Sequence, residues 1–108
     1  MFSMSLDGDY VCFISLMEYT NLYNRVGKLV NSSPIKRGSS QIRILWLDDR
    51  GLVVDNLAVT SFTVHDDNSI TIIKDDGGGY TKHTRYFFSS DEDFSHVRDF
   101  LEEKTSEG

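Results

Sequence analysis

"SLMEYTNLYNRVGKLV", Ser15–Val30, joins a capping motif to apolar residues spaced by three and four. Ser15-Leu16-Met17-Glu18 matches the S-x-x-E capping box, in which serine and glutamate satisfy free backbone donors at a helix start. Behind it Leu16, Tyr19, Leu22, Tyr23, Val26, Leu29 and Val30 recur at steps of three and four, one stripe of an amphipathic helix. Gly27 weakens that helix slightly, and Asn31–Ser33 with Pro34 end it. The spacing therefore predicts a helix preceded by a short strand over Asp9–Ile14.

Downstream, "NSSPIKRGSSQ", Asn31–Gln41, reads as a polar loop whose Lys36 and Arg37 are solvated. From Ile42 the period becomes two. "IRILWL" is a strand, and "LVVDNLAVTSFTV" is one strand or two broken near Asp55-Asn56. "ITIIK" and "YTKHTRYFF" follow as further strands, with turns at Asp48–Gly51, Asp66–Ser69 and the glycine run. Ser89–Asp93 caps a closing helix with the stripe Phe94, Val97, Phe100 and Leu101, and the tail frays from about residue 104. The expectation is a single α+β domain over residues 1–108, an antiparallel meander of about five strands with two amphipathic helices on one face. Ile42, Ile44, Trp46, Phe62, Val64, Ile70, Ile72, Tyr86 and Phe88 share the inner face by parity. The opposite face is mostly polar, interrupted by Leu45, Leu47, Ile73 and Phe87.

Across 108 residues, 17 acidic side chains oppose 11 basic ones, a net charge of −6 that disfavours direct contact with nucleic acid or an anionic membrane. The lone Cys12 forms no internal disulfide and sits in an apolar run, as a buried thiol would. With no signal-like or membrane-spanning segment, a cytoplasmic protein is expected.

The most site-like motif is "IIKDDGGGYTKHTRYFF", Ile72–Phe88. A phosphate-binding loop needs G-x-x-x-x-G-K-[ST] opening a helix, whereas alternation follows Gly79, and two aspartates precede the glycines. Asp-Gly between alternating runs is instead a hairpin signal. His65, His83 and His96 lack metal-ligand spacing, so no metal or other cofactor is expected. No serine lies in a G-x-S-x-G elbow and no carboxylates are spaced to flank a bond, so no enzyme is expected.

Aspartate pairs open three turns: Asp48-Asp49, Asp66-Asp67 and Asp75-Asp76. In a meander the first and third share one rim, and the second joins Asp91, Glu92 and Asp93 at the other. Aspartate favours turns for local reasons, yet such a clustering also suits docking on a basic surface. The leading expectation is a small acidic inhibitor or antagonist that mimics nucleic acid on a larger protein, in the manner of immunity proteins or phage-encoded inhibitors. The near absence of alanine (only Ala58) agrees with a viral or phage gene. The alternative is a regulatory or assembly module using Leu45, Leu47, Ile73 and Phe87, including as a homodimer. A third reading, a small-ligand sensor, would use Tyr10, Tyr80 and Tyr86 with His83 and Arg85.

Overall fold

The segment with helical spacing is a strand. The computed structural model describes residues 4–5, 9–33, 36–47 and 51–106, with side chains over 17–33, 41–47 and 51–105. In it β1, Met4–Ser5, is followed by β2, Asp9–Tyr23, which runs unbroken through Ser15 and Glu18 and returns as β3, Leu29–Ser32. Between them Gly27 takes φ 82, the left-handed conformation that glycine enters without a Cβ penalty. The Asn24 side chain accepts from the Val26 and Lys28 amides at 3.1 and 3.0 Å, fixing a hairpin.

Long-range pairing overrides the capping-box signal. β2 pairs over Asp9–Glu18 with β4, Lys36–Leu47, and over Ser15–Tyr23 with β8, Tyr80–Phe88. A helix here would satisfy its own backbone but leave edges of β4 and β8 without partners. Tyr19, Thr20 and Tyr23 suit a pleated surface as well as a helix. The polar loop expected over Asn31–Gln41 is likewise largely strand, shared between β3 and β4.

The remaining strands are β5, Gly51–Val54, β6, Leu57–Val64, and β7, Ser69–Gly77, followed by the helix α1, Asp91–Ser106. The described residues thus form eight strands and one helix, not five strands and two helices. The tail does not fray at residue 104: α1 continues to Ser106, and Thr105 Oγ1 donates to the Leu101 carbonyl at 2.8 Å.

All strand pairings are antiparallel. The ladder β2-β4-β5-β6-β7-β8 meets itself where β8 pairs with β2, so those six strands close into a ring. Ring closure removes the exposed edges of an open meander. The side chains of the predicted inner face then point into the ring. Ile42, Ile44, Ile70 and Ile72 are fully buried, Trp46, Phe62 and Phe88 lie against them, and Val64 alone is exposed.

α1 covers one end of this ring. Ser90 Oγ accepts from the Asp93 amide at 3.1 Å, the N-cap the sequence indicates. Phe94, Val97 and Leu101 are buried in the same core cluster as the isoleucines. Phe94 approaches Phe88 of β8, while Lys104 lies over the Trp46 ring of β4. The helix therefore crosses the mouth from β8 to β4. Among the described residues no helix covers the other mouth.

Candidate functional site

Along the ring interior, composition changes with distance from α1. Stepping by two on β7 gives Ile70, Ile72, Lys74; on β8 the same path gives Phe88, Tyr86, Thr84, Lys82. The register places Ile70 opposite Tyr86, Ile72 opposite Thr84 and Lys74 opposite Lys82, while Thr20 and Leu22 of β2 stand opposite Thr84 and Lys82. Directly paired residues share a face. The interior is thus apolar at the helix end and polar at the open end.

At the open end lies a cleft of about 260 Å³ lined by Thr20, Leu22, Asn31, Ser33, Asp55, Leu57, Lys74, Lys82 and Thr84. Lys74 is only 4% exposed. Its Nζ donates to the Tyr86 hydroxyl at 2.8 Å, and that hydroxyl donates to Asp55 Oδ2 at 3.2 Å. Asp55 Oδ1 accepts from the Arg43 amide at 3.1 Å, which holds the carboxylate in place. The Thr20 and Thr84 hydroxyls meet at 2.8 Å on the wall. Asp55 reaches the cleft because it occupies a two-residue hairpin with Asn56, both at positive φ, 49 and 71.

Burial pushes the Lys74 ammonium below its ordinary value, since the charged form loses water, and Lys82 adds like-charge repulsion; Asp55 partly offsets both. Burial, with Asp55 nearby, raises the Tyr86 phenol well above its ordinary range, so it remains a donor. The cleft floor is a chain of charge and hydrogen bonds held at the end of a hydrophobic interior.

The aspartates expected at the rims fare differently. Asp48 and Asp49 lie outside the described residues. Asp76 pairs with Lys82 at 3.6 Å, and Asp75 accepts from the Gly77 amide within its own turn. Asp66 is exposed, but Asp67 is held by Arg85 at 2.8 Å and by Ser69. The Ser69 hydroxyl, chiefly, depresses the Asp67 carboxyl, and Arg85 adds to it. Asn68 Nδ2 donates to Asp91 Oδ1 at 2.8 Å, which brings this turn to the start of α1 beside exposed Glu92. Asp93 is buried at 8% exposure and accepts from Ser89. One rim gathers Asp66, Asp67, Asp91 and Glu92; at the other, Asp76 pairs with Lys82.

The apolar residues of the outer face form no single seam. Ile73 stands opposite His83, while Phe87 stands opposite Ser69, four residues away along β7. Leu45 and Leu47 lie on β4, with β5 and β6 between them and β7. The Arg85 guanidinium also covers the Phe87 ring at 5.1 Å. His83 stacks on Tyr23 at 4.4 Å and His65 bonds Thr71; no group of three metal-ligating side chains occurs among the described residues. Of the sensor residues, Tyr86 alone enters the cleft floor. Tyr80 is exposed at a hairpin tip, Arg85 serves the opposite rim, and the Tyr10 side chain is outside those described.

Lys74, Lys82 and Thr84 carry a signal that was present in the sequence. They continue the even-numbered inner face, on which a lysine ought not to fall unless the interior opens there. No helix among the described residues is long and apolar enough to cross a membrane. No protein-family model, curated protein or solved structure matches the chain.

Proposed function

We propose that the protein is a binding module that takes a small polar ligand into the open end of its strand ring. The observation that carries this reading is Lys74, 4% exposed, inside a ring whose helix end is packed with apolar side chains, and facing a cleft of about 260 Å³. A buried charge costs stability unless it is well partnered, and an apolar residue of similar volume commonly serves a fold as well or better. A charge retained beside a cleft suits ligand recognition more than scaffolding. The test is a melting-temperature screen of polar small molecules, compared with Leu57→Trp, which fills the cleft mouth. Concentration-dependent stabilisation that the tryptophan abolishes supports the reading; stabilisation indifferent to it, or none, removes it.

A second reading keeps the acidic docking protein, through one rim alone. The Asn68–Asp91 hydrogen bond brings Asp66 and Asp67 to the same end as Asp91 and Glu92, and the net charge of −6 adds long-range attraction for a basic partner. Asp66→Asn with Glu92→Gln then slows association with a captured basic protein at low salt and leaves the fold intact. Association at an unchanged rate removes this reading.

A further inference from the structure

We infer that the ligand of the cleft is a small organic carboxylate with a short apolar tail, its oxygens accepting from the ammonium groups of Lys74 and Lys82. The inference rests on the cleft being a binding site and adds the class of ligand.

Donor counting comes first. An ammonium carries three N–H donors and no acceptor. Lys74 spends one on the Tyr86 hydroxyl, its only hydrogen bond among the described residues. Its other close contact is with the ring of the same tyrosine, 5.3 Å from the centroid. Two donors of a buried cation are therefore left for whatever enters the cleft. Asp55, which lines the cleft, already accepts from the Arg43 amide and the Tyr86 hydroxyl and makes no hydrogen bond to Lys74.

Charge placement points the same way. Lys74 and Lys82 stand directly opposite across the β7–β8 ladder and both line the cleft. Like charges in directly paired positions are destabilising. Lys82 has a counterion in Asp76 at 3.6 Å, but that pair is partly exposed, with side chains 39% and 30% accessible, and pairs of that kind contribute little. Lys82 can therefore exchange Asp76 for a ligand oxygen at small cost. A single anionic group between the lysines removes their repulsion and supplies acceptors to Lys74.

The surroundings select a carboxylate rather than a phosphate. Asp55, Asp76 and Glu18 all act on the Lys74 charge from nearby, and Asp55 lines the cleft itself. A dianion meets more repulsion from these carboxylates than a monoanion does. Leu22 and Leu57 supply the apolar wall for a tail, and the Thr20 and Thr84 hydroxyls offer it a polar edge.

Calorimetry and amide chemical-shift mapping with three probes, hexanoate, 1-hexanol and inorganic phosphate, test this. Hexanoate is expected to bind in the millimolar range or tighter and to shift the Lys74, Lys82 and Thr84 amides, with hexanol and phosphate weaker. Lys74→Met is expected to lower hexanoate affinity about tenfold or more, the scale of a lost charged hydrogen bond. Lys82→Ser, at a partly exposed position that tolerates change, lowers it less. If hexanol binds as well as hexanoate, the anion assignment falls while the cleft remains a ligand site. If phosphate binds and hexanoate does not, the carboxylate assignment falls. Hexanoate binding equally to both lysine variants also overturns it. If no probe binds and the wider polar screen also gives nothing, the binding reading falls with it.

Discussion

At the helix end of the ring, Asp66, Asp67, Asp91 and Glu92 hold their charges at the surface, where water and Arg85 share the work of solvating them. At the open end, Lys74 holds its charge at 4% exposure, with a tyrosine hydroxyl as partner and a lysine across the ladder. The same type of group is cheap in the first place and expensive in the second, because solvent screening is lost with burial. Turn formation and capping account for the acidic rim. The buried lysine lacks such a local explanation. Function is therefore more profitably sought at the end with less charge and more cost.

The largest effect that would break the comparison concerns α1 as the plug of one mouth. Leu101 is fully buried in the interior cluster. Leu101→Ala is expected to destabilise by about 2–5 kcal/mol in denaturant titration, the range for truncating a core leucine. A loss below about 1 kcal/mol would mean that the helix lies on the ring without closing it.

At the open end, Asp55→Ala deprives both the Arg43 amide and the Tyr86 hydroxyl of an acceptor. It also places alanine at φ 49, a conformation that aspartate tolerates better. A loss of about 1–3 kcal/mol is expected from the abandoned hydrogen bonds. Asp55→Asn keeps an acceptor oxygen and the turn preference, and should recover part of it. Equal losses in both variants would show that the carboxylate charge, rather than its hydrogen bonds, holds the floor.

How far these two ends were legible in the sequence follows from which signals were local. The closing helix was readable because its cap, Ser90, and its stripe, Phe94, Val97 and Leu101, lie within one segment. The β7–β8 hairpin was readable from Asp-Gly between alternating runs, and its glycines do adopt positive φ. Ser15–Val30 misleads because its apolar residues suit a helical stripe, while the ladders to β4 and β8 that hold it extended are formed with residues 18 to 73 positions distant. Gly27, taken as a weakness in a helix, is the turn of a hairpin. The cleft needed only one further step of the parity argument, from Ile72 to Lys74. What parity alone lacked was ring closure, without which Lys82, Thr84 and Thr20 have no reason to converge.

A smaller effect separates the rim's capping role from docking. Ser90→Ala removes the acceptor for the Asp93 amide and should cost about 1 kcal/mol, by denaturant titration. The cost should be the same at low and high salt, since a neutral hydroxyl makes the bond. A strong salt dependence would instead implicate repulsion among Asp91, Glu92 and Asp93.

The subtlest test uses pH, because the two ends titrate in separate windows, one alkaline and one acidic. Lys74 has a folded-state pKa below that of the unfolded chain, so between the two values the unfolded state binds more protons. Stability then rises with pH through that window and reaches its full value above the ordinary lysine value of 10.5. Lys74→Met has no such gain, and its stability advantage over the parent should shrink as pH climbs from neutral towards 10. Glu18, Asp55, Asp76, Lys82 and Tyr86 face position 74 in both proteins. Asp67 has the same sign in an acidic window. Its carboxyl is depressed below 3.8 by Ser69 and Arg85, so its contribution is present above that value and is lost as pH falls through the depressed one. Asp67→Asn should therefore leave the alkaline limb untouched and flatten only the acid limb, by a small amount, since the group is exposed. An acid limb unchanged by this substitution would mean that Arg85 is held by its contacts with Ser69 and the Phe87 ring and that the rim carboxylate is free to bind elsewhere, which restores weight to docking.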